Sequence, residues 1–137
     1  MKGFVVDASV AMAWVHPAQA TNSSKTLLDE VHDGALLEAP ALWPLEVSNA
    51  LIVLVRRRKL LESDRKSALA ALQKLSVKID HEMAGLAFTK ISALAVEYAV
   101  SAYDATYLEL AHRRKLPLAC KDGPLREAAR RVGVKVL

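Results

Sequence analysis

Short apolar runs of strand character alternate with longer segments of helical character along the whole chain, and no Asn-Gly hairpin turn joins two of them. That alternation constrains the fold more than any other feature. Successive strands then run parallel and return through helices, so the chain is expected to be an α/β protein with a mainly parallel sheet. Phe4-Val5-Val6 reads as the first buried strand, and Ala8 to about Val15 as a helix stopped at His16-Pro17. A second helix opens near Asn22 to Ser24 and ends at Gly34, and Ala35–Ala39 is a brief strand closed by Pro40. A long helix covers Leu42 to about Arg57 with Pro44 in its first turn, and Ser63 is expected to cap the next. Val77–Ile79 and Leu118-Ala119-Cys120 read as strands, Glu82–Ala99 and Ala102–Arg114 as helices. Pro124–Val132 forms a last helix before a closing strand, Val134–Leu137.

At 137 residues the chain has the length of one domain, 1–137, and no linker, repeat or low-complexity segment divides it. Hydrophobic residues make up 53% and charged residues 25%, which excludes a disordered chain or a fibre. One cysteine, Cys120, excludes an intramolecular disulfide framework and fits a reducing compartment. The first residues carry Lys2, an apolar stretch and Ala18-Gln19-Ala20. Asp7 and Ser9 break the uninterrupted core that an export signal needs, and no stretch approaches the roughly 18 apolar residues of a membrane span. A cytoplasmic protein without membrane contact is expected. The net charge of +4, from 19 basic and 15 acidic residues, permits a polyanionic partner without requiring one.

Function is written in three isolated charges. Asp7 is the only formal charge between Gly3 and Ser24, Glu46 the only one between Ala39 and Val55, and Asp104 the only one between Tyr98 and Leu108. A carboxylate in apolar surroundings faces desolvation, so each needs a partner or a task. Asp7 ends the first strand and also suits the cap of the following helix. Glu46 lies one turn into its helix, with Asn49 three residues on along the same face. Asp104 opens a helix after Ser101, and Asp122 follows a strand and precedes Gly123-Pro124, where turn chemistry alone would account for it. In a parallel sheet, ligands collect at the carboxyl ends of the strands, the rim to which these four residues are assigned. Four carboxylates within about 6 Å repel by roughly 3 kcal/mol per pair, so such a cluster must take up protons or cations.

Oxygen-only donors select hard ions, Mg²⁺ or Mn²⁺. The four histidines show no zinc-binding spacing, no glycine-rich phosphate loop is present, and Ser9 and Ser101 lack a nearby His–acid set. An all-carboxylate metal site suits phosphate ester hydrolysis by an activated water. Arg56-Arg57-Arg58-Lys59, Arg113-Arg114-Lys115 and Arg130-Arg131 lie at predicted helix ends. There they complement the helix dipoles or, in a functional reading, contact phosphates flanking the acidic hole.

Four segments carry a resemblance: Val5-Val6-Asp7-Ala8-Ser9-Val10, Pro44-Leu45-Glu46-Val47-Ser48-Asn49-Ala50-Leu51, Tyr103-Asp104-Ala105-Thr106-Tyr107-Leu108, and Leu118-Ala119-Cys120-Lys121-Asp122 followed by Leu125-Arg126-Glu127-Ala128-Ala129 and Gly133-Val134. In this order they resemble the acidic motifs of PIN-domain ribonucleases, specifically the VapC toxins of toxin–antitoxin pairs, over essentially the whole chain. The resemblance implies a PIN-like three-layer α/β/α sandwich with a short, mainly parallel sheet flanked by helices. It implies a Mg²⁺- or Mn²⁺-dependent endoribonuclease toxin, with Asp7, Glu46, Asp104 and Asp122 as catalytic metal ligands and Ser9 as accessory; Asn49 is added from its place beside Glu46. The substrate implied is transfer or ribosomal RNA. The partners implied are a second copy of the chain and a VapB-type antitoxin covering a groove, for which Trp14, Trp43, Leu51 and Leu54 are candidates. One departure is Cys120, where the family frequently has Thr or Ser; a thiol is a poor ligand for Mg²⁺, and Cys120 is expected to be a small buried hydrophobe. A haloacid-dehalogenase-like phosphatase with Asp7 as nucleophile would need a second Asp where Ser9 stands. A catalytically inert PIN-fold module that binds RNA or protein is the remaining alternative.

Overall fold

The computed structural model describes residues 2–137. Its elements follow in order: β1 (Gly3–Val6), α1 (Ala8–Val15), a short 3-10 turn (Pro17–Gln19), α2 (Asn22–His32), β2 (Leu36–Pro40), α3 (Trp43–Arg56), α4 (Glu62–Gln73), β3 (Val77–Asp80), α5 (Met83–Leu86), a π-helical turn (Ala87–Ile91), α6 (Ser92–Tyr98), α7 (Ala102–Arg114), β4 (Leu118–Ala119) and α8 (Gly123–Val132). The four strands form one parallel sheet in the order β3-β2-β1-β4. This is the α/β architecture that the alternation of short apolar runs and helices predicts.

β1 is central, and Phe4, Val5 and Val6 are fully buried, as a parallel strand covered on both faces must be. Gly3 is required where it stands: a Cβ there would lie 2.6 Å from the Leu36 carbonyl oxygen of β2. α7 lies against β1 and β2, and α1, α3 and α4 pack on one another. The core runs through these layers, with Leu37 from β2, Leu51 from α3, Tyr107, Leu108 and Leu110 from α7, and Leu125 from α8.

A buried ionic knot fastens α7 to the far edge of the sheet. Arg113 holds Glu109, which is 1% exposed, and reaches Asp80 at the end of β3 and Glu82 beyond it. Arg114 pairs with the buried Glu38 of β2 at 3.1 Å. Both arginines are thereby held against the edge of the sheet.

Three local expectations change. Glu82–Ala99 is not one helix, because a π-helical turn at Ala87–Ile91 divides it, burying Ile91 and leaving Phe88 fully exposed. The helix expected to be capped by Ser63 starts two residues earlier, at Glu62 after Leu61, with no side-chain cap and with Glu62 and Asp64 complementing its first turn. The closing strand Val134–Leu137 contracts to a single bridge between Val136 and Leu118. Among the described residues no single helix is long and apolar enough to cross a membrane; one pair, Met83–Tyr98 with Ala102–Arg114, passes only jointly and is bent by 104°.

Candidate functional site

Strand order reverses beside β1: the chain passes from β1 to β2 on one side and later returns to β4 on the other. Such a switch point opens a crevice at the carboxyl ends of the two strands. Asp7 leaves β1 at that point, and its backbone N–H donates to the Ala119 carbonyl of β4 at 3.1 Å.

Asp7 is both a cap and a member of a cluster. Its carboxylate accepts from the Val10 N–H at 3.0 Å, closing the first turn of α1, and from Ser9 Oγ at 2.8 Å. Ser9 Oγ also accepts the Lys121 N–H at 3.0 Å, so one hydroxyl joins the start of α1 to the segment after β4. The Asp7 carbonyl accepts the indole N–H of Trp43 at 3.2 Å. Burial raises the Asp7 carboxyl from its ordinary 3.8 to about 6; the two hydrogen bonds oppose this, and Asp104 and Glu46 reinforce it.

Glu46 comes from the first turn of α3 and is half-buried. The Tyr107 hydroxyl, from α7, donates to its Oε1. Asp104 lies in the first turn of α7, where Ser101 caps the helix by accepting the Asp104 N–H at 3.0 Å. Burial raises its carboxyl, and Asp122 and Glu46 raise it further. The Tyr107 phenol is held well above its ordinary value by burial first, then by its bond to Glu46 and the charges of Asp7 and Asp104, so it remains a donor. Asp7, Glu46 and Asp104 thus share one electrostatic neighbourhood, and Asp122 reaches it through Asp104.

Asp122 itself is exposed and caps α8, accepting the Leu125 N–H at 2.9 Å. Asn49 is exposed on α3. Among the described residues no three His, Cys, Asp or Glu side chains are gathered closely enough to ligate one ion as they stand. The donor chemistry fits a hard cation, being oxygen only with negative charge in excess, and a bound divalent ion would offset the repulsion that raises Asp7 and Asp104.

Cys120 is buried, and burial pushes its thiol up to about 12, with the nearby Asp7 charge adding to the effect. It is a neutral, apolar filler directly after β4, which ends at Ala119, one residue short of the expected strand. The hydroxyl that braces Asp7 comes instead from Ser9. Trp43 and Leu51 are core residues, and Trp14 packs on the core with its indole N–H donating to the Ser24 carbonyl at 2.8 Å and its ring edge-on to Phe4. Leu54 is half-buried against the same core. Of the four candidates for a docking groove, Trp43 lines a cleft of about 280 Å³ bounded also by Pro44, Val47, Leu69, Leu72 and Val77.

The basic runs do not flank the hole. α3 and α7 carry Glu46 and Asp104 in their first turns and α8 is capped by Asp122, whereas Arg56, Arg113–Arg114 and Arg130–Arg131 lie about 12–15 Å further along the helix axes; Arg126, near the start of α8, donates to the Cys120 and Leu137 carbonyls. Arg113 and Arg114 are held by buried carboxylates, and Arg131 lies over the Tyr98 ring at 5.3 Å. Tyr107 is the residue of the hole that sequence reasoning leaves without a task. Its acceptor is 61 positions away, and nothing within its own helix marks it.

A PIN-like α/β sandwich is the class that this sheet order and flanking helices define. No family model and no curated protein matches the chain in sequence. Solved structures do share its fold. PAE2754 from Pyrobaculum aerophilum superposes with a TM-score of 0.66 at 20% identity, covering 98% of this chain and 88% of that one. VapBC2 from Rickettsia felis, bound to a DNA fragment from their promoter, gives 0.68 at 8% identity, covering 98% and 96%. FitAcB from Neisseria gonorrhoeae gives 0.63 at 18% identity, again covering 98% and 96%.

Proposed function

We propose that this chain is a cytoplasmic, Mg²⁺- or Mn²⁺-dependent endoribonuclease of the VapC toxin kind, acting on transfer or ribosomal RNA and restrained by a VapB-type antitoxin. The observation that carries the reading is the placing of Asp7: a buried carboxyl at the switch point of a parallel sheet, with Glu46 and Asp104 near enough to raise it further. Asp7, Glu46, Asp104 and Asp122 would hold the cation. When bound, the ion supplies Lewis acidity toward water and the phosphodiester. The chain's own part is to fix the carboxylates: Ser9 and the Val10 N–H orient Asp7, and the α7 and α8 caps place Asp104 and Asp122.

The antitoxin and a homodimer come with the motif resemblance, and a neighbour in fold that is itself a VapBC assembly supports the first. The open spacing of the carboxylates is also what an inert RNA- or protein-binding module would show. Cleavage separates the two readings. The purified chain should cut RNA with Mg²⁺ or Mn²⁺ and stop on chelation, while Asp7→Asn and Asp104→Asn should each lose at least a hundredfold in rate, about 2.7 kcal/mol of barrier. Equal cutting by both variants and the parent would refute the site; no cutting by the parent on total RNA, with or without added metal, would favour the inert module.

A further inference from the structure

Every acidic side chain of the hole has a role in the reading above, but the phenol among them has none. Tyr107 stands one turn after Asp104 on α7 and is 2% exposed. Its hydroxyl leaves the core only to meet Glu46 of α3. A glutamate on a half-buried helix face has three side-chain torsions to order, and Glu46 has no backbone N–H holding its carboxylate as Asp7 and Asp122 do. The phenol supplies that missing hold, and it comes from the helix that carries Asp104. One hydrogen bond thus ties the carboxylate of Glu46 on α3 to the helix that carries Asp104.

We infer that Tyr107 is a positioning residue: it anchors one carboxylate oxygen of Glu46 so that the other is presented to a divalent cation shared with Asp7 and Asp104. The inference rests on the reading of the hole as a hard-cation site. Groups that orient a metal-binding side chain typically change metal affinity by roughly 10- to 100-fold when removed. A tyrosine that merely fills the core would not, because phenylalanine keeps the ring.

The test measures Mn²⁺ binding to the full chain without RNA, by the loss of the free-ion electron paramagnetic resonance signal. The proteins are the parent, Tyr107→Phe, Glu46→Ala and the double variant. Tyr107→Phe should weaken binding about tenfold, and the same substitution should have no effect once Glu46 is alanine. Unchanged affinity in Tyr107→Phe, or an equal loss in both backgrounds, overturns the inference while leaving the cation site intact. No Mn²⁺ binding by the parent at millimolar concentration overturns the site itself, and the inference with it. A measurement on the unsubstituted protein covers the case in which Tyr107→Phe does not fold. With ¹³C-labelled tyrosine, saturating Mg²⁺ should move the Tyr107 ring signal, and an unmoved signal rejects the role.

Discussion

Asp7 is held in a position that suits a ligand better than it suits the fold. Its folded value of about 6 lies above the ordinary 3.8, so the folded protein binds more protons than the unfolded chain between those values. The stability from this group is complete below about pH 4 and is lost as pH rises through 6, amounting to about 3 kcal/mol. In chelator, Asp7→Asn should therefore resist urea better than the parent at pH 7.5, by about 1–3 kcal/mol, with the gap closing toward pH 4. A variant weaker than the parent at pH 7.5 would mean that the cap to Val10 outweighs the burial of charge. Asp7, Glu46 and Asp104 are legible in the sequence because each is a lone charge in an apolar stretch, where burial forces a question. Tyr107 is not, because a tyrosine in an apolar helix reads as an ordinary core aromatic until its hydroxyl's distant acceptor is known. Asn49, placed beside Glu46 by helix spacing alone, is exposed on α3.

The elements show where local chemistry suffices and where it yields to packing. The caps at Asp7, Ser101 and Asp122 follow from residue type and position, and so does Gly133 as the left-handed stop of α8. Ala99 breaks that rule. It ends α6 in the left-handed region, with φ of 55°, where glycine is the usual residue. Because Ala99 is exposed, Ala99→Gly should remove a steric penalty at no packing cost and raise the urea midpoint, by about 0.5–1 kcal/mol in stability. A lowered midpoint would show that the unfolded-state entropy of glycine dominates. The π-helical turn ahead of α6 has no such sequence mark. One extra residue in the turn lets Ile91 bury and brings Lys90 to 3.6 Å from Glu109, both of which are tertiary demands. The short last strand is likewise a matter of what lies beside it, since only Leu118 is there to pair with it.

At the scale of the whole molecule, a parallel order with a switch point explains how four charges remote in sequence share one neighbourhood. It also sets the carboxylates in the caps and first turns of α3, α7 and α8 apart from the arginine runs at the far ends of these helices. Divalent ions should therefore act on global stability. At 100 times its dissociation constant, Mg²⁺ or Mn²⁺ should add about 2.7 kcal/mol, a melting shift of several degrees. The shift should be larger at pH 7.5 than at pH 5.5, where protons compete at Asp7. No shift at either pH would leave the acidic hole without a ligand of this kind.

β4 sits directly beside β1, although nearly the whole polypeptide separates them in order of synthesis. A ribosome therefore finishes most of the scaffold before it emits Leu118 to Asp122. Until then Asp7 has no Ala119 carbonyl to meet, and Ser9 has no Lys121 amide to receive. A nascent chain, or one lost to premature termination, would display the first three acidic residues around a gap. Whatever chemistry the crevice performs is thereby withheld from a product of translation that stops short of Asp122.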